Sequence, residues 1–220
     1  MGTDIHMIAE IRKDGIWQTI LDKIFIDREG TKFEEETCVP YSNRNYNLFG
    51  ILADVRNGSG FAGCRTGEKF NPISKPKSYP KDMDERSKYF LGDEWGHHSA
   101  SYLTLKEIFD FDWTQLHRIY GIVDEEEYKN TIMKGKHPTF WGGGIGGGNC
   151  VTLPETEMVD LIQGLIPHEE GKYYYTGCYF APEPYSYYAK DFLVNMEKLK
   201  RYVSKSGTLE DVRIIFDFDS

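Results

Sequence analysis

At 220 residues the chain is long for one domain, and its 40% hydrophobic content is enough to build a core. A formal net charge of -9 argues against general binding of nucleic acid or of anionic membranes, because contacts from cations to phosphate supply most non-specific affinity. There is no signal peptide, no apolar run near the 18 or so residues that span a bilayer, and no C-x-x-C pair among Cys38, Cys64, Cys150 and Cys178. A reduced cytoplasmic protein with free thiols is therefore expected, without a zinc ribbon or a thioredoxin motif.

The first stretch, Met1 to Arg12, alternates as a strand: Ile5, Met7, Ala9 and Ile11 form a plain core face, and Asp4, His6, Ile8, Glu10 and Arg12 form the other. On that second face a carboxylate and an imidazole stand about 6–7 Å apart, close enough to share a metal ion, a proton or a ligand. Lys13-Asp14-Gly15 is a hairpin turn, with Ile16 to Ile20 as the returning strand. Residues 22–43 read as a polar loop. Ser42 or Asn43 is placed to cap a helix from about Arg44 to Val55, whose stripe is Leu48, Ile51, Leu52 and Val55, and Asn57-Gly58 ends it.

Residues 57–100, rich in Gly, Pro and Ser, read as one long loop, a feature that usually serves a site. Ser101 or Thr104 caps a short helix through Phe109, and a second acidic helix covers Asp124 to Lys134. Trp141 to Asn149 is a glycine run, and Pro154 opens a helix to about Gln163. Lys172 to Ala181 reads as a strand, Tyr187 to Val203 as the longest helix ending at Lys205-Ser206-Gly207, and Val212 to Asp219 as a closing strand. Strands cluster at the two ends and near residue 175. The pattern is not βαβ alternation, so the expectation is a single α+β domain with a mainly antiparallel sheet, a loop-rich insertion at 57–100 and a glycine lid at 141–149.

Several of these elements together carry a resemblance: Met1-Gly-x-Asp4-Ile-His6, Arg44-Asn45-Tyr46-x-Leu48-Phe49, Leu52-Ala53-Asp54-Val55-Arg56-Asn57, Phe61-Ala62-Gly63, Asn71-Pro72-Ile73, Gly96-His97-His98-Ser99, and the closing Arg-Ile-x-Phe-Asp-Phe-Asp strand. The chain resembles a family of uncharacterised bacterial and phage proteins that open with this hexamer. The resemblance implies a fold unit and a location of interest rather than a reaction. It brings the prior of a phage accessory protein that binds or destroys a host nucleotide immune signal in the host cytoplasm. Where other members have Asp-Gly-His-Ser-x-Ser-Trp-Leu, this chain has Trp95-Gly96-His97-His98-Ser99-Ala100-Ser101-Tyr102-Leu103, which leaves open whether His97 or His98 takes the family position.

Four constellations offer chemistry. Asp4 and His6 with His97 or His98 are a sufficient ligand set for an open divalent-metal site, set against a hydrogen-bonded polar cluster in which Asp4 orients His6. If the last strand pairs beside the first, Asp217 and Asp219 join them. Arg44, Asn45, Arg56 and Asn57 at the two ends of one helix, with Arg65 beyond, offer forked donors to a phosphate or carboxylate, set against surface ion pairs. Trp141 and Asn149 bracket glycines whose backbone N–H groups approach an anion closely, set against a flexible linker; neither a Walker loop nor a dinucleotide fingerprint is present. The tyrosines at 173–175, 179, 185, 187 and 188 line a pocket wall or fill a core.

The leading expectation is a protein that binds a small anionic, nucleotide-like ligand through Arg44, Asn45, Arg56, Asn57, Arg65, His97, His98, Trp141 and Asn149. It fixes no cofactor, although a divalent metal fits it, and a homo-oligomer is compatible with it. The alternatives are a metal-dependent hydrolase or phosphodiesterase, with Asp4 and His6 among the ligands of a divalent metal, and a protein–protein inhibitor acting through acidic and tyrosine surface.

Overall fold

Alternation decides the first strand, and pairing with the last one decides what it does. The computed structural model describes residues 2–26, 32–91, 96–204 and 207–219. Met1, Trp95, Lys205 and Ser206 lie outside the described residues, as do the side chains of Glu34 and Glu35. In chain order the strands are β1 (Ile5–Lys13), β2 (Ile16–Thr19), β3 (Leu21–Ile26), β4 (Lys32–Thr37), β5 (His98–Thr104), β6 (Leu116–His117), β7 (Tyr120–Asp124), β8 (Cys150–Leu153), β9 (Tyr173–Tyr179), β10 (Glu183–Pro184) and β11 (Val212–Phe218). The helices are α1 (Tyr46–Ala53), α2 (Glu85–Leu91), α3 (Leu105–Asp110), α4 (Glu125–Asn130), α5 (Glu155–Ile162), α6 (Tyr185–Tyr188) and α7 (Lys190–Leu199). The fold is α+β with mainly antiparallel sheets. Among the described residues no helix is long and apolar enough to cross a membrane.

The chain divides into two compact units, the first made of Met1–Val55, Asn71–Trp113 and Ser186–Ser220, the second of Arg56–Phe70 and Thr114–Tyr185. In the first, the sheet order is β2-β1-β11-β5, antiparallel throughout. Asp14 and Gly15 both take positive φ, as the tight β1–β2 turn requires. One sheet face presents Ile5, Met7, Ala9 and Ile11 beside Val212, Ile214, Phe216 and Phe218, all buried against α1, α3 and α7. Leu48, Phe49 and Leu52 of α1 and Phe192 and Met196 of α7 fill that layer. Burying a side chain of this size contributes roughly 1.5–3 kcal/mol, which makes this layer the main source of stability in the unit. The opposite face is covered as well: Ile8 and Ile215 meet Met83 and Leu91, at either end of α2. The two-faced burial explains why β11 is buried along its whole length.

The structure departs from the sequence expectations in several places. Residues 22–43 are not one loop, since β3 and β4 pair antiparallel with Lys23 opposite Glu35. The many charges of β4 obscure its strand pattern in the sequence. Helix α1 starts two residues later than expected. Its cap is Asn45, whose Oδ1 accepts from Leu48 N at 3.1 Å, and it ends at Asp54, which takes the left-handed conformation at φ 60°. The stretch 57–100 carries α2 and the start of β5. Thr104 does cap α3, in a reciprocal box with Glu107. The long C-terminal helix is interrupted at Ala189, where φ is -113° and ψ 13°, so α6 and α7 are separate.

In the second unit β9 is central. It pairs antiparallel with β7 and parallel with β8, a departure from all-antiparallel pairing, while β6 and β10 form a separate short ladder. Val123, Met158, Leu161 and Cys178 are among its buried residues. Asp124 caps α4 through its side chain, and Pro154 stands at the start of α5 as its fixed φ suggests.

Candidate metal centre

Register puts the centre together. Antiparallel pairing sets His6 of β1 directly opposite Asp217 of β11, and residues so paired project to the same side of a sheet. On the other flank of β11, the register with β5 shifts between Phe216 and Phe218. Just before β5 Gly96 takes φ 103°, a backbone conformation that suits glycine, and within the first residues of β5 Ser99 takes φ 54°. This irregular entry turns His97 toward Asp217, with Nδ1 3.1 Å from Oδ1. The His6 and His97 rings stack with centroids 4.5 Å apart. One ligand atom from each of His6, His97 and Asp217 lies within 4.8 Å of the others.

Asp217 is fully buried. Its Oδ2 accepts the Tyr79 hydroxyl. Among the described residues its Oδ1 has no hydrogen bond, and His97 Nδ1 lies at ion-pair distance from it. A buried carboxylate oxygen left in this state is expensive unless a cation takes its lone pairs. His6, by contrast, is about a third exposed, so the cluster is closed at Asp217 and open at His6. Two imidazoles and one carboxylate with an open side match catalytic rather than structural metal sites.

The surrounding residues orient this set. His6 Nε2 lies 3.3 Å from Asp219 Oδ2, and Asp219 Oδ1 accepts from Asp4 N at 2.8 Å. Burial works against the Asp219 charge, yet the Asp4 N–H and the neighbouring His6 hold its carboxyl below the usual carboxylate range. Carboxylates behind a metal-binding imidazole fix its ring and raise its basicity. Asp4 itself does not point into the cluster. Arg44 Nε and Nη2 hold its two oxygens at 2.7 and 2.6 Å, and that fork lowers its carboxyl from the ordinary value.

The remaining sequence candidates are scattered across the two units. In the first, His98 Nδ1 lies 2.9 Å from Ser99 Oγ and its ring stacks toward Phe218, so the loop imidazole beside His6 is His97. Asn45 is structural, with Oδ1 on the α1 cap and Nδ2 donating to Tyr188 O. In the second unit, Arg56 takes φ 54°. Buried Asn57 clasps the Phe70 backbone on both sides, at 2.9 and 2.6 Å. Arg65 lies over the rings of Tyr120 and Tyr179 at about 5 Å and donates to the Tyr179 hydroxyl. Trp141 packs edge-on against Phe180, and Gly142 pairs with Ile122 through both backbone bonds, so the start of the glycine run is tied to β7. Asn149 is exposed, and its carbonyl accepts from Tyr173 N. Tyr173, Tyr174 and Tyr175 border a polar groove of about 530 Å³ with Lys129 and His168.

Tyr79 is the residue that sequence reasoning missed. It sits in an aperiodic stretch, and only tertiary folding brings it to Asp217. No family model, curated protein or solved structure matches this chain, so its function is argued from geometry.

Proposed function

We propose that the protein is a metal-dependent hydrolase acting on a small anionic molecule, with a nucleotide-derived phosphoester as the expected class and His6, His97 and Asp217 as the ligands of one divalent metal. The observation that carries this reading is the convergence of three ligand atoms on a fully buried carboxylate oxygen with no hydrogen bond. A metal held there would lower the pKa of a bound water toward neutrality and polarise the scissile group. Water adds to phosphorus, the ester P–O bond breaks, and the water's proton ends on the leaving oxygen. Tyr79 holds Asp217 from behind and Asp219 holds His6, so two of the three ligands have their own support.

The test is elemental analysis of the purified protein followed by chromatography of nucleotides incubated with it. Stoichiometric metal, with turnover that disappears in His6→Ala and His97→Ala, is expected. A protein that takes up no metal when dialysed against zinc or manganese overturns the reading.

A second reading is sequestration of a nucleotide-derived anion without cleavage, as for a phage accessory protein. It is favoured by Arg65, whose guanidinium lies on two tyrosine rings, a surface suited to a ligand carrying both a ring and a charge. Intact nucleotide recovered from a protein that has bound it, with binding lost in Arg65→Ala, would establish that reading instead.

A further inference from the structure

Arg44 is linked to His6 through a short chain of contacts by way of Asp4 and Asp219. Asp4 lies two residues before His6. Its N–H binds Asp219 Oδ1 at 2.8 Å, its carbonyl accepts from Asp219 N at 3.2 Å, and Asp219 in turn faces His6. Arg44 holds Asp4 with a two-pronged fork, the geometry a guanidinium uses for phosphate. Both partners are about half exposed, at 51% and 42%. An exposed, solvent-screened pair of this kind is weakly coupled, so a competing anion exchanges with it readily.

The chain start is shaped around this guanidinium. A methyl group at Gly2 would overlap Arg44 Nη1 and lie 2.6 Å from Cζ. Thr3 N donates to the Tyr46 hydroxyl at 3.1 Å and ties the same segment to α1. The guanidinium therefore lies in a close cradle against the Gly2 backbone, as the movable end of a half-exposed side chain.

Resting on the hydrolase reading above, we propose that Arg44 is the substrate clamp of this centre and that Asp4 is its internal stand-in. A phosphoryl group bound at the centre displaces the Asp4 carboxylate from Arg44 and takes the same two N–H donors. The substrate class this selects is a phosphate ester with two free phosphoryl oxygens on one face, and a dianion outcompetes the singly charged Asp4. Asp4 keeps the arginine oriented and prevents it from pairing elsewhere while the site is empty.

Inorganic phosphate is the probe. Calorimetric titration into the manganese-loaded protein and into the metal-free protein is compared for wild type, Arg44→Ala, Gly2→Ala and Asp4→Asn, with metal content measured in parallel. Arg44→Ala is expected to weaken phosphate binding about tenfold, as loss of a charge-assisted fork should. Gly2→Ala, which leaves every charge in place but pushes the guanidinium from its cradle, is expected to weaken it in the same direction. Asp4→Asn is expected to tighten it several-fold, because the internal competitor is gone. Metal content stays at the wild-type level in all three. Equal phosphate affinity in wild type and Arg44→Ala overturns the clamp, and so does Asp4→Asn weakening phosphate as much as Arg44→Ala does. Failure of the wild-type protein to load metal overturns the hydrolase reading alone, since the metal-free titrations still decide the role of Arg44.

Discussion

The two ends of one sheet face are built from similar residues and satisfied in opposite ways. At one end Glu10 of β1 faces Arg213 of β11, both buried. Arg213 Nε donates to Glu10 Oε2 at 2.9 Å, Nη1 donates to Asp82 Oδ1 at 2.9 Å, and the guanidinium lies 3.9 Å from the Trp17 ring centroid. The second Glu10 oxygen accepts from Asp84 N, and Asp84 Oδ2 also accepts from Thr19 and from Arg86 N at the start of α2. At the other end His6 faces Asp217, and one buried oxygen of Asp217 is left without a hydrogen bond. Ile8 and Ile215, buried under Met83 and Leu91, separate the two. A closed network of charges is a structural device. The end that leaves a buried acceptor unmet among the described residues is the one to which the proposed function assigns a metal.

Breaking the closed end should have the largest effect. Arg213→Ala leaves Glu10 buried without its cation, and removing one partner of a buried pair costs about 3–5 kcal/mol. Urea unfolding should show that loss, while replacing both residues, Glu10→Leu with Arg213→Met, should recover most of it. A double variant as unstable as the single one would show that packing of the arginine stem, rather than charge closure, holds this end.

This contrast was only partly legible in the sequence. The alternation of β1 and β11, the Asp14-Gly15 turn and the Thr104 cap are local signals with a fixed period or a fixed residue chemistry, and they fold as read. The period assigns Ile8 and Glu10 to the same side as His6, but it says nothing about what covers that side. The cover is supplied by α2 and the chain before it, whose Leu91 and Met83 meet Ile8 and Ile215. Arg213 is 203 positions from Glu10, and Tyr79 is 138 from Asp217. No window of sequence contains either pair. The choice between His97 and His98 depends on the irregular register beside β11, which periodicity does not predict. Asp4 shares a face with His6 as expected, yet Arg44 engages its carboxylate.

His117 in the second unit sharpens what distinguishes a structural imidazole from a functional one. It is buried against Phe70, with ring centroids 3.6 Å apart, and against Tyr185, whereas His97 faces a carboxylate. Burial pushes the His117 imidazole down to about 4, with Glu68 pulling weakly the other way. The folded state therefore prefers the neutral ring. Its contribution is complete above the unfolded value near 6.5 and is lost as the pH falls from there through about 4. The difference corresponds to about 3 kcal/mol across that window. Unfolding midpoints at pH 7 and pH 4.5 should differ less in His117→Phe than in wild type. Equal acid sensitivity of the two would rule out His117 as the titrating group.

The open end is sharpened by metal. At a metal concentration about 100-fold above Kd, the wild-type protein should gain about 2.7 kcal/mol of stability. Asp217→Asn should be no less stable than wild type without metal, since it removes a buried charge with an unmet oxygen, and it should gain nothing when metal is added. Thermal unfolding with and without zinc or manganese reads both. A metal-induced gain that persists in Asp217→Asn would place the ion elsewhere.

The smallest effect concerns Asp4 and Arg44, and its smallness is the point. Their pair is half exposed and solvent-screened, so Arg44→Ala and Asp4→Asn should each change stability far less than Arg213→Ala does. A double-mutant cycle measured by urea unfolding gives the coupling directly. A coupling of several kcal/mol would make Arg44–Asp4 a second closed network like Glu10–Arg213, unable to open for an incoming anion. A coupling near zero leaves a fork and a carboxylate that meet at no great gain, the arrangement expected of a pair that opens to an incoming anion.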